Sequence, residues 1–173
     1  TMLITSLDAM ASGGIFDHIG GGFARYSVDT QWLVPHFEKM LYDQALFVRV
    51  YTHAAVVTGL ERYRQVVEET VEYVLRDLRH PDGGFYTAFD ADSEGHEGTY
   101  YLWTPEQVTA ALGSDAAPLF IARYGLDLSP NFEGAWHLTA AREVSNLAES
   151  GEFGTHPESL LNELDAARLR LLQ

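Results

Sequence analysis

The chain has 173 residues, 46% of them hydrophobic and 21% charged, with 11 basic against 25 acidic residues and a formal net charge of -14. Such a composition is that of a globular chain long enough to bury a core, and the length suggests one domain. The negative surplus opposes binding to nucleic-acid phosphates and to anionic membranes, and the absence of cysteine excludes disulfides, thiolate metal sites and thiol chemistry in this segment.

No apolar run reaches the roughly 18 residues that a membrane helix needs. Thr1–Thr5 lacks the basic region of a signal peptide, so a cytoplasmic location is the expectation. The apolar ends, Met2-Leu3-Ile4 and Leu169-Arg170-Leu171-Leu172-Gln173, read as helices in need of neighbours, which suggests a fragment.

In chain order, Leu3, Leu7 and Met10 share a face and predict a helix over 2–12, stopped by Gly13-Gly14. Gly20-Gly21-Gly22 suits no regular helix, Phe23–Val28 reads as a short strand, and Asp29-Thr30 as a turn. Pro35 is tolerated in a first helical turn, so a long helix is expected from Pro35 to Thr58, capped by Gly59. A second helix is expected over 61–79, with Val67, Val71, Val74 and Leu78 on one side, before Pro81-Asp82-Gly83-Gly84 breaks it. Phe85–Phe89 and Tyr100–Trp103 read as strands around a polar loop. Thr104 is a helix cap with Pro105 behind it, predicting helices over 105–112 and 115–124. Residues 125–156 read as irregular and 157–172 as a final helix.

The order Gly-Gly-Phe, hairpin, tryptophan, proline-started helix occurs twice, from Gly21-Gly22-Phe23 to Pro35 and from Gly83-Gly84-Phe85 to Pro105. Repeated helix pairs cannot bury their apolar faces alone, and a ring of them can. The expected fold class is therefore all-α in the main, part of a helical-hairpin (α/α) toroid with short β-hairpins between helix pairs.

Four groups of residues could carry chemistry. Asp17, His18, Arg25 and Tyr26 flank the glycines, which lack the Gly-Lys-Ser/Thr ending of a phosphate loop and point instead to tight turns or close approach of a neighbouring segment or a ligand. The run from His36 to Asp43 puts His36, Lys39, Met40 and Asp43 on one face of the expected helix and Glu38 and Tyr42 on another. At a helix start, the positive end of the dipole would favour neutral imidazole at His36, a usable general base, with Asp43 as its orienter. The plainer reading is a structural network, with Glu38 and Lys39 facing solvent. The third group, Asp90, Asp92, Glu94 and Glu97, has the first half of an EF-hand spacing but Tyr101 where the bidentate Glu should stand. It reads as a solvated hairpin tip, a non-EF calcium site, or acid/base and hydroxyl-binding carboxylates beside the stacking faces of Tyr100, Tyr101 and Trp103. The fourth, Asn131–His137, is weak alone. The seven histidines are too scattered to propose a metal site, and no cofactor is implied.

The runs Gly13–Phe23 with Arg25–Asp29, Trp32–Ala45, and Gly83–Tyr86 with Asp90–Gly95 and Glu97-Gly98 together resemble the YyaL and spermatogenesis-associated protein 20-like family of thioredoxin-domain-containing proteins. Asn131-Phe132-Glu133-Gly134 adds to the match. The resemblance implies an N-terminal thioredoxin-like domain, absent here, followed by an (α/α)6 six-hairpin toroid similar to N-acylglucosamine 2-epimerases, of which residues 1–173 are a part without the later hairpins. It implies a sugar epimerase, isomerase or glycoside-processing activity. His36, Asp43, Asp90, Asp92 and Glu94 would be catalytic, and Asp17, His18, Arg25, Tyr26, Glu38, Tyr42 and Trp103 would bind substrate. The alternative is a non-catalytic module that binds a protein or oligosaccharide, its carboxylates being rim charges or a structural calcium site. The expected partners are a small-molecule or oligosaccharide ligand and the thioredoxin-like domain of the same protein, with neither nucleic acid nor membrane.

Overall fold

Of the three apolar positions spaced along residues 2–12, Leu7 and Met10 find a surface against the next helices, while Leu3 stays exposed. In the computed structural model, which describes residues 2–93 and 95–173, α1 (Met2–Ser12) precedes a helical hairpin of α2 (Leu41–Thr58) and α3 (Glu61–Tyr73), the latter prolonged by a π turn over Val74–Leu78. Leu7 is buried with Ile15, Phe16, Phe23, Tyr51, Ala54, Tyr63 and Val66 in one cluster. Phe23 stacks on Phe47 and Tyr51, with ring centroids 4.0 and 5.4 Å apart. A side chain of that size contributes about 1.5–3 kcal/mol when fully buried. The two buried tyrosines keep their hydroxyls satisfied, Tyr51 donating to the Leu7 carbonyl and Tyr63 to Asp8, each at 2.7 Å. Gly59, left-handed at φ 69°, ends α2 as expected.

The glycine run serves close approach. Gly21 and Gly22 have φ of +75° and +78°, and a Cβ there would come within 2.4 Å of the Glu69 carbonyl oxygen and 2.5 Å of the Tyr73 ring. The absent side chains let this loop lie directly on α3.

The described residues form six helices and only two-residue strand pairs, so the chain is mainly α-helical as expected. The strands pair differently from the expected repeat. β1 (Tyr26–Ser27) does form a hairpin with β2 (Pro35–His36). β3 (Lys39–Met40), however, pairs with β4 (Ala88–Phe89), and β5 (Asp92–Ser93) with β6 (His96–Glu97). β7 (Leu102–Trp103) pairs with β8 (Trp136–His137), so the segments around 85–89 and 100–103 do not pair with each other. The largest correction is at Pro35. Helix α2 begins at Leu41, and residues 35–40 are extended, with the Glu38 carbonyl accepting from Arg25 N–H and the Leu41 amide donating to Thr87. Proline in a first turn is permitted by its missing N–H but does not compel a helix, and here the extended pairing satisfies the backbone instead.

Contacts divide the chain into two units, Thr1–Tyr101 and Leu102–Gln173. The second is helical, built from α4 (Pro105–Tyr124), α5 (Val144–Ser150) and α6 (Pro157–Leu171), with Val108, Leu112, Phe120, Leu147, Leu160 and Leu164 inside. Gly113, at φ 83° and ψ 170°, divides α4 where two separate helices were expected. α5 lies within the stretch read as irregular. It spans seven residues without a side-chain cap, too short for a periodic signal, and is held by contact with α6. Thr104 and Gln107 form a capping box, Gln107 N–H donating to Thr104 Oγ1 and Thr104 N–H to Gln107 Oε1. Thr104→Ala is expected to lower stability by about 1 kcal/mol in denaturant unfolding, and an unchanged midpoint would show the cap to be idle. Among the described residues, no helix is long and apolar enough to cross a membrane.

Candidate functional site

The extended run 35–40 sorts its side chains by strict alternation. Pro35, Phe37 and Lys39 are buried, while His36, Glu38 and Met40 lie on the opposite, partly exposed side. The helical faces expected for this run are thereby overturned: Lys39 parts from His36 and Asp43, and the helix dipole does not stand behind His36.

On the inward side, Lys39 is only 2% exposed. Its ammonium donates to Asp17 Oδ2 at 2.7 Å and to the Gly21 carbonyl at 2.9 Å, and lies over the rings of Tyr73 (4.3 Å) and Tyr101 (5.0 Å). Asp17 Oδ1 accepts from the amides of Ile19 and Gly20. Burial by itself would raise the Asp17 carboxyl, but the charge and hydrogen bond of Lys39 and these two amides hold it below its ordinary value. Burial pulls the Lys39 ammonium down, against the charge of Asp17. His18 Nε2 lies 2.9 Å from the Gly13 carbonyl, with its ring edge-on to Phe16. Asp17 and His18 therefore brace the glycine loop, away from the face that carries His36.

On the outward side, His36 Nδ1 is 2.7 Å from Glu97 Oε1, and its ring stacks on Tyr26 at 5.2 Å. A carboxylate accepts, so Nδ1 is assigned as the donor and Nε2 keeps the lone pair of the neutral ring. Nε2 faces Glu38 Oε2 at 3.7 Å, beyond hydrogen-bond length, and Arg25 donates to the same Glu38 oxygen at 3.1 Å. The first turn of α2 adds Tyr42 and Asp43. Asp43 Oδ2 is shielded from solvent and has no hydrogen-bond partner. Its pKa is raised by burial first, and further by Glu38, against the charge of Arg25. This face thus carries a ring nitrogen, His36 Nε2, and a carboxyl whose pKa is raised, Asp43.

The third group goes elsewhere in the same unit. Asp90 and Asp92 line a cleft of about 430 Å³ together with Asp77, Tyr86, Phe89, Tyr100 and others. Asp90 Oδ1 accepts from the Asp92 amide. Glu94 lies outside the described residues. The β5–β6 hairpin joins the two places, since Asp92 stands opposite Glu97, the residue that holds His36. Trp103 belongs to the second unit, where it stands opposite Trp136. Among the described residues, no group of three His, Asp or Glu is placed to hold a metal ion.

Glu97 was within the acidic run noted in the sequence, but its pairing with His36 spans 61 residues and no local spacing signals it. Asp77 comes to the cleft from a segment that showed no motif, and Tyr86 and Phe89 from a stretch read as a strand and not as part of a site.

Three mammalian proteins are similar to part of this chain. The mouse and human proteins named spermatogenesis-associated protein 20 are each 50% identical to this chain over 117 residues, which is 64% of the chain and 15% of either relative. The rat protein of that name is 44% identical over 145 residues, 75% of the chain and 18% of its own length. The similarity supports a relationship to that family, and the chain spans less than a fifth of the length of these relatives. No family model matches the chain.

Proposed function

We propose that the face formed by Arg25, Tyr26, His36, Glu38, Tyr42 and Asp43 binds a hydroxylated, sugar-like small molecule and moves a proton on it. We further propose that the chain is part of an (α/α)6 toroid in a thioredoxin-domain-containing protein, a reading that rests on the sequence resemblance. One observation carries the chemical proposal: the shielded Asp43 Oδ2, without a hydrogen-bond partner among the described residues, belongs to a carboxyl that feels the charge of Glu38, and Glu38 in turn faces the ring of a histidine already held by Glu97. A proton donor and a proton acceptor within reach of one substrate are what proton transfer requires. His36 Nε2 takes a proton from the carbon next to a sugar carbonyl, and the Asp43 carboxyl, its pKa raised by burial, is the proposed donor to the carbonyl oxygen as the enediol forms. Arg25, Glu38 and Tyr42 supply donors and acceptors for hydroxyl groups.

The test is solvent exchange in heavy water, with aldoses, ketoses and N-acylated amino sugars offered to the chain. Deuterium should enter at the carbon beside the carbonyl. His36→Gln should slow incorporation by about 10²–10⁴-fold and Asp43→Asn should also slow it, with circular dichroism showing both folded. Sugar binding detected by thermal shift without any exchange would leave a binding module and remove the catalytic reading.

A further inference from the structure

A second site lies in the cleft beneath the β5–β6 hairpin. We infer that this cleft binds a small organic cation, an alkylammonium group with an apolar shell. Its walls carry three carboxylates, Asp77, Asp90 and Asp92, and the exposed rings of Tyr86, Phe89 and Tyr100, the last of them 65% exposed. No lysine, arginine or histidine is among the described residues that line it. Arg76 occupies Asp77 from the side, with Nε donating to Oδ1 at 3.0 Å, which leaves the negative charge of Asp90 and Asp92 facing the cleft.

The aromatic walls decide the kind of cation. A hard metal ion needs a closed shell of oxygens, whereas these carboxylates are spread among ring faces and edges. Phe89 and Tyr100 stand 6.3 Å apart at 45°, and Tyr100 meets Tyr101 edge to face at 5.1 Å, so ring surfaces of different orientation converge. Ring faces attract a weakly hydrated cation, and the carboxylates add charge at longer range.

The same unit already holds one ammonium in this way. Lys39 Nζ sits against the Asp17 carboxylate and over the rings of Tyr73 and Tyr101, and Tyr101 also lines the cleft. Tyr101 thus contributes to both surroundings. The site uses neither His36 nor Asp43, so it stands apart from the proton-transfer proposal.

Tetramethylammonium chloride titrated into the chain and followed by amide and ring NMR resonances tests the inference. Neopentyl alcohol is the uncharged probe of the same shape, and sodium chloride the control for ionic strength. Saturable shifts confined to Tyr86, Phe89, Asp92 and Tyr100 are expected with tetramethylammonium alone. Tyr100→Leu, a change at an exposed ring that leaves the fold intact, should weaken binding about two- to fivefold, the size of one exposed cation–ring contact. Asp92→Asn should weaken it as well. Equal binding of neopentyl alcohol, the same shifts with sodium chloride, or no saturation by about 100 mM would each overturn the inference.

Discussion

Replacing Lys39 by alanine lowers the unfolding free energy by about 3–5 kcal/mol, the range for removing one partner of a buried ion pair. The loss arises from what is left behind. Lys39 is 2% exposed and donates to Asp17 and to the Gly21 carbonyl, so its removal strands a carboxylate and a carbonyl in a dry site. Asp17→Asn in the Lys39→Ala background should therefore cost far less than Asp17→Asn in the wild-type chain, and urea unfolding of the four proteins gives the coupling. Additive losses would show that the two groups do not depend on each other.

The same pair sets an acid limit. Asp17 has a folded pKa below its ordinary value of 3.8, so the native state binds fewer protons there than the unfolded chain does. The stabilisation is complete above that ordinary value and is lost as pH falls through the lower folded value. In Lys39→Ala the opposing charge is gone and burial dominates Asp17, so the stability gap between variant and wild type should narrow as the pH drops below about 4. A gap that stays constant into acid would contradict the assignment.

Gln44→Leu is expected to cost about 2–4 kcal/mol although it removes no charge and little volume. Gln44 is 1% exposed and works as a spare peptide group. Its Oε1 accepts from Phe23 N–H at 2.7 Å, while its Nε2 donates to the Phe23 carbonyl at 2.7 Å and to the Met40 carbonyl at 3.1 Å. Leucine fills the space but leaves the backbone donor and acceptor of Phe23 buried without partners. Gln44→Glu keeps the acceptor and loses the donor, so it should also destabilise the chain. Urea midpoints within experimental scatter of wild type for Gln44→Leu would show that water reaches Phe23.

The helices were legible wherever local rules act without help. Thr104-Pro105 and Gly59 mark ends through capping chemistry that needs only a few neighbouring residues. Gly20-Gly21-Gly22 pointed to close approach, and the approach proved to be to Glu69 and Tyr73. The run 35–40 was misread because its inward set is Pro35, Phe37 and Lys39. A lysine at an inward position hides a period of two, since a charged residue is rarely buried without a partner and the partner, Asp17, lies 22 positions away.

The candidate site divides along the same line. Residue types were readable: a histidine, an arginine and several carboxylates clustered in short stretches. Their company was not. Glu97 reaches His36 only because β5 and β6 fold back as a hairpin, and Asp77, Asp90 and Tyr100 share a cleft only because separate segments converge. The sequence by itself determined the helical character, the helix ends marked by Gly59 and by Thr104-Pro105, and the absence of thiol chemistry in this segment, because these follow from composition and from interactions a few residues long. The tertiary structure alone decided that Lys39 is an internal cation, that Asp43 Oδ2 has no hydrogen-bond partner among the described residues, and which carboxylates share a cleft with aromatic rings. Each of those depends on contacts between distant segments, whose burial and charge no local spacing encodes.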